Sequence, residues 1–185
     1  MLQNPMRLTF QGQKITYARV NEKIICVIVE NGSLYCWGDG FLGYGSREQK
    51  SKPDSKPINF QGKRVKQVLP SQIVSCAILE DESLHCWGMG NLNGYSDGLS
   101  RYVPDSKPIN FQGKKVKHIA VQSWGHCALL ENHKVYCWGP APLGYGDQKI
   151  RIAPTQESLD FQGQAVSSIA LGGLHGCAII QDGDL

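Results

Sequence analysis

The amino-acid sequence predicts an all-β protein built from a repeated unit, and three observations carry that reading. The tripeptide Phe-Gln-Gly begins at Phe10, Phe60, Phe111 and Phe161, at spacings of 50, 51 and 50 residues. A second marker, Cys-Trp-Gly, begins at Cys36, Cys86 and Cys137, and the upstream cysteines Cys26, Cys76, Cys127 and Cys177 keep the same beat. Within the units apolar and polar residues alternate with a period of two, as half-buried strands require. Self-similarity at this period marks an array of like units, about 3.7 of them in 185 residues. The single domain divides at residues 10–59, 60–110, 111–160 and 161–185, the last unit being partial. One additional residue between Cys86 and Phe111 predicts a longer loop in the second unit.

The third unit displays the elements in order. Lys107–Phe111 (KPINF) reads as a short strand whose leading proline suits a sheet edge or a strand start. Lys115–Ala120 (KVKHIA) alternates and reads as a second strand. Cys127–Glu131 and Lys134–Gly139 supply two more, joined by a short turn. Glycine-rich stretches such as Gly38–Gly45 (GDGFLGYG) exclude a helix there. Four antiparallel strands in about 50 residues is the size of one propeller blade. Such a blade cannot cover both of its faces, so neighbours must stack on it. The expected fold is an all-β propeller of about four blades of four antiparallel strands, an incomplete ring.

The stretch His126–Gly139 (HCALLENHKVYCWG), preceded by VKHIA and followed by LGYG, resembles the regulator of chromosome condensation repeat. The resemblance covers essentially the whole chain and implies a seven-bladed propeller, which needs about 350 residues. The chain supplies about half of that. It is therefore expected to be either a fragment or one of two copies that close a ring together. The period places a partner cysteine for Cys177 two residues beyond Leu185. The family pattern G-x-x-H-x-C survives only as Gly172, His175 and Cys177. Asn21 and Ile24, Ser71 and Val74, and Gln122 and Gly125 stand at the glycine and histidine positions of the other units. The loop after Cys-Trp-Gly is also shorter than the family form.

Composition narrows the function classes. The chain is 41% hydrophobic and 19% charged with a net charge of +3, ordinary for a globular protein and too weakly basic to argue for nucleic acid. No run of 18 apolar residues exists, so no membrane-spanning helix is expected. The opening MLQNPMRLTF lacks the apolar stretch of a secretion signal. No nucleophile elbow, zinc-protease helix or phosphate-binding glycine loop occurs. The histidines His85, His118, His126, His133 and His175 fall at differing places in their units and read as strand or loop residues. Asp39, Asp97 and Asp147 read as turn formers. No catalytic residue, cofactor or metal is expected.

The pairs Cys26/Cys36, Cys76/Cys86 and Cys127/Cys137 each bracket a hairpin. A three-residue loop Glu30-Asn31-Gly32, with glycine in the left-handed region, sets Val29 against Ser33 and Cys26 directly across from Cys36. A two-residue loop would send the sulfurs to opposite faces. Disulfides are the preferred reading, each contributing roughly 3 kcal/mol by chain entropy. Reduced thiols packed in the core and a metal site are the alternatives. Bridges imply an extracellular or periplasmic location, with the cytoplasm left open by the absent signal. Cys177 is the unpaired cysteine.

Three groups of residues are candidate partner contacts. Trp37, Trp87 and Trp138 recur in the first three units and read as packing between blades, whereas Trp124 occurs once and can anchor a partner. Tyr44, Tyr95 and Tyr145 recur in the rim loop after Cys-Trp-Gly, where propellers bind partners. Lys56, Lys63, Arg64 and Lys66 match Lys107, Lys114, Lys115 and Lys117, a band of cations over two blades. That band reads as either a solvated strand edge or a steering surface. The resemblance implies exchange factors for small GTPases, interaction domains or bacterial extracellular binding proteins. The even spacing leaves no room for an inserted exchange hairpin. The expectation is a non-catalytic, exported protein-binding scaffold. An intracellular exchange or chromatin-binding regulator comes second, and a structural half-propeller closed by homodimerisation third.

Overall fold

The computed structural model describes residues 8–122, 124–140, 142–173 and 175–181. Among these the chain forms four consecutive antiparallel sheets and no helix. The first contains β1 (Ile15–Val20), β2 (Ile24–Val29) and β3 (Leu34–Gly38). The second contains β4 (Val65–Leu69), β5 (Val74–Leu79) and β6 (Leu84–Gly88). The third contains β7 (Val116–Val121), β8 (His126–Leu130) and β9 (Val135–Trp138), and the fourth β10 (Val166–Leu171) and β11 (Gly176–Ile180). Each sheet is a meander with its strands in sequence order. A register shift recurs near the start of every first strand, between Ile15 and Tyr17, Val65 and Gln67, Val116 and His118, and Val166 and Ser168. Such bulges bend and twist a strand.

The middle strands read as continuous apolar runs because both of their faces are covered: β5 is buried at every position. Side chains of one sheet pack on those of the next, so the core lies between sheets. One cluster joins Ile24, Ile28 and Leu34 to Val65, Val68 and Trp87, and another joins Ile78 and Leu84 to Ile119, Leu130 and Trp138. Backbone hydrogen bonds also cross each junction. The amides of Val65, Val116 and Val166 donate to the carbonyls of Gly32, Glu82 and His133 in the preceding hairpin turn, at 2.9, 3.0 and 3.2 Å.

The fourth strand expected over Lys107–Phe111 does not form. That segment and its equivalents each hold the outer edge of the third strand by a single bond. Ile58, Ile109 and Leu159 donate to Leu34, Leu84 and Val135, each at 2.8 Å. One reason is chemical competition. The next outward-facing amide on the edge, that of Cys36 or Cys137, donates to a tyrosine hydroxyl rather than to a fourth backbone. The added residue of the second unit lies in the loop closed by the Gly88–Arg101 bridge, one residue longer than the loops closed by Gly38–Lys50 and Gly139–Arg151. Buried Asn93 holds that loop, its amide nitrogen donating to Leu99 O at 2.8 Å and its oxygen accepting from Tyr95 N.

Candidate functional site

The cysteines are bridged as the hairpin count predicts. Val29 bonds Ser33, Gly32 takes φ +81°, and Cys26 pairs in register with Cys36. Glu82 and His133 occupy the same left-handed place at φ 64°. Cys26–Cys36, Cys76–Cys86 and Cys127–Cys137 are disulfides with Cα atoms 4.0–4.1 Å apart, and Cys177 is free and exposed. Each pair sits at a position without a backbone hydrogen bond between its members, since the Cys36 amide points away from β2 to Tyr44. Side chains approach closest at such positions. Covalent bridges of this kind persist in oxidising surroundings.

Recurring aromatics serve the junctions. Trp87 Nε1 donates to Phe41 O at 2.9 Å and Trp138 Nε1 to Leu92 O at 3.0 Å, each reaching the loop of the preceding unit. Trp37 is buried against Phe10. The tyrosines are bound from two sides. The hydroxyls of Tyr44 and Tyr145 accept from the Cys36 and Cys137 amides at 3.3 and 3.0 Å, and Tyr95 donates to Lys107 O at 2.9 Å. Burial pushes the hydroxyls of Tyr44 and Tyr95 well above the ordinary phenol range. A cation covers each ring: Lys50 on Tyr44, Arg101 on Tyr95 and Arg151 on Tyr145, the two guanidinium groups 3.9 Å from the ring centroids. Asp97 and Asp147 grip those guanidiniums with both oxygens. The Arg101 contact holds the Asp97 carboxyl down at about 2.

The cation band is interleaved with acids from the hairpin tips. Lys63 pairs with Asp81 at 2.9 Å, Lys66 and Lys115 share Glu82 at 3.5 and 3.2 Å, and Arg64 donates to Glu30 O at 3.0 Å. Lys56, Lys107, Lys114 and Lys117 are exposed on either side. Sequence reading found the cations and missed their partners, whose spacing in the chain shows no signal until the hairpins fold beside the neighbouring first strands.

The two ends of the sheets therefore differ. In these meanders the hairpin turns and lysine-bearing strand starts lie at one end. The loops after the first and third strands lie at the other, where Asn21 Nδ2 reaches across to Pro70 O at 2.9 Å. Nine large apolar side chains are exposed among the described residues. Six of them occupy this second end: Val20, Met89, Leu99, Tyr102, Trp124 and Ile150. Trp124 is 52% exposed.

The histidines do not converge. His126 is fully buried on Trp138, and burial drives its ring down to about 3, so it is neutral. Burial also lowers His85 and His118, His85 being bonded to Ser83 and to Asp105 O. His133 faces Val166 O at 3.1 Å, and His175 is exposed. Among the described residues, no three metal-ligating side chains gather.

Meandering sheets stacked face to face, the first three locked in turn by a tryptophan and a backbone bond at each junction, define the architecture. Human WBSCR16 superposes with a TM-score of 0.78 at 23% identity, over 96% of this chain and 48% of that one. Yeast RCC1 (Prp20), crystallised bound to Kap60, superposes at 0.70 with 21% identity, over 95% of this chain and 43% of its own. The fold is an RCC1-type β-propeller. The ectodomain of the Physcomitrella patens receptor kinase CR4 also matches, with a TM-score of 0.58 and 19% identity, over 94% of this chain and 40% of that one. This propeller chain thus spans about half the length of the structures it matches. No family model matches the sequence, and no curated protein does.

Proposed function

We propose that the chain is a non-catalytic protein-binding scaffold that works in an oxidising, extracytoplasmic setting and takes its partner on the apolar loop end of its sheets. The observation that carries this reading is the gathering of six of the nine exposed large apolar side chains at that end. Exposed apolar clusters mark interaction sites, and aromatic anchors such as Trp124 supply a large share of interface energy. The three disulfides support export. The complex of yeast RCC1 with Kap60 supports protein binding by a propeller of this fold. The lysine end is the lesser candidate, because hairpin acids already pair with several of its cations.

A photo-crosslinking amino acid placed at Trp124, or alternatively at Lys114 on the opposite end, tests the reading in cells that make the protein. Adducts to one partner from position 124 and none from 114 are expected. Adducts from 114 alone would move the site to the lysine end. No adduct from either would end the scaffold reading. An intracellular exchange or chromatin-binding role is the second reading, favoured by the shared fold with yeast Prp20p, whose structure was described with its binding to Gsp1p and histones.

A further inference from the structure

The three hairpin tips make one turn from three different tripeptides: Asn31-Gly32-Ser33, Asp81-Glu82-Ser83 and Asn132-His133-Lys134. In each, the side-chain oxygen of the first residue accepts from the amide of the third, at 2.9, 3.1 and 3.4 Å. That contact is an Asx-turn. The middle residue takes the left-handed region, at φ +81°, 64° and 64°. The fold therefore asks for an Asx-turn former followed by a residue held at positive φ, and nothing more specific. The first tip carries a further pattern, Asn-x-Ser with x other than proline. Of the eight asparagines in the chain, no other has a serine or threonine two residues on.

Asn31 is exposed at this turn. Its backbone amide donates to Gln13 Oε1 at 3.2 Å, and the Gly32 amide is tied to Val29 O at 2.7 Å. Asn31 Nδ2 and the Ser33 hydroxyl have no hydrogen-bond partner among the described residues. In the second sheet the matching hydroxyl, that of Ser83, is held by Asp81 and His85. Exposure of the tip does not depend on the ends of the array. Asp81, the equivalent residue of a sheet packed on both sides, is exposed as well. Arg64 backs the turn, its guanidinium donating to Glu30 O at 3.0 Å, so Asn31 borders the cation band.

We propose that Asn31 is an N-glycosylation site, which takes an oligosaccharide from a lipid-diphosphate carrier in a secretory lumen. The tripeptide is the acceptor signature of that transfer, which modifies surface loops of exported chains. In the step, Nδ2 attacks the anomeric carbon of the sugar. A C–N bond forms and the anomeric C–O bond breaks. The lipid diphosphate leaves with that electron pair, and Nδ2 gives up one proton to a base of the transferase. Nothing is oxidised or reduced. The inference rests on the oxidising, extracytoplasmic setting proposed above, and it adds a division between the two ends. The glycan stands at the hairpin-turn end beside the cation band, while the loop end that carries Trp124 contains no acceptor tripeptide and stays bare.

The test leads the full 185-residue chain into a eukaryotic secretory lumen with a cleavable signal, and reads only chain from which that signal has been removed. A mobility shift reversed by peptide-N-glycosidase F is the expected result. Asn31→Asp, which keeps an Asx-turn former, and Ser33→Ala, which removes only the hydroxyl, should each abolish the shift. Ser33→Thr should keep it. No shift in the unaltered chain, or a shift that survives Asn31→Asp, overturns the site. Alkylation of the same material separates this failure from that of the setting. A bare Asn31 with Cys177 alone tagged sinks the site and leaves the oxidising setting intact, whereas seven tagged thiols sink the setting and the inference with it.

Discussion

His126 is a single residue whose environment contradicts its chemistry. Its ring nitrogens are buried without partners against Trp138, at the place where Ile25 and Ser75 face Trp37 and Trp87. The neutral form is enforced by desolvation, which lowers the folded-state value to about 3 from the ordinary imidazole value of 6.5. Below pH about 6.5 the unfolded chain binds a proton that the folded chain refuses, so stability falls with pH between about 6.5 and 3. Denaturant midpoints at pH 7.5 and 5 should show that loss, and His126→Ile should remove this part of the pH dependence. Arg151 poses a second residue-scale problem. Its Nε is buried and unpaired, whereas Nε of Arg101 bonds Asp105 at 2.9 Å. Thr155 stands at the position of Asp105 and Asp54 in the repeat. Thr155→Asp should therefore stabilise the protein by about 1 kcal/mol, read as a higher melting temperature. The tyrosines and aspartates of these clamps were legible in the sequence as recurring loop residues. Their grip on the third-strand edge was not, because it needs the loop to fold back across that edge.

At the scale of one element, the hairpin is where sequence and structure agree most closely. Counting outward from Gly32 places Cys26 opposite Cys36, and the register follows. Glu82 and His133 tolerate the left-handed place because their carbonyls accept bonds from the next sheet, at 3.0 and 3.2 Å. Alkylation under denaturing, non-reducing conditions should tag Cys177 alone, and Cys76→Ser/Cys86→Ser should cost roughly 3 kcal/mol of unfolding free energy. Seven tagged thiols in protein made under oxidising conditions would remove the case for export. The fourth strand was the misreading. KPINF has strand composition and forms an edge contact of one hydrogen bond, because a tyrosine hydroxyl takes the next amide on that edge. Composition reports what a segment can do, and a competing side chain decided what it does.

Across the whole molecule, burial is uneven. β5, with a packed sheet on each side, is buried throughout, whereas β11 has exposed or half-buried residues at each position. Amides whose opening demands separation of packed sheets exchange slowest. Hydrogen exchange should protect β5 and β8 most strongly and β10 and β11 least.

The sequence by itself determined the repeat, its all-β character, the disulfide register and the role of the recurring tryptophans. Each of these is periodic, and periodicity survives in one dimension. Only the tertiary structure decided which acids neutralise which lysines and that six exposed apolar side chains share one end. Those features arise between residues far apart in the chain or in different units, and stacking the sheets is what brings them together.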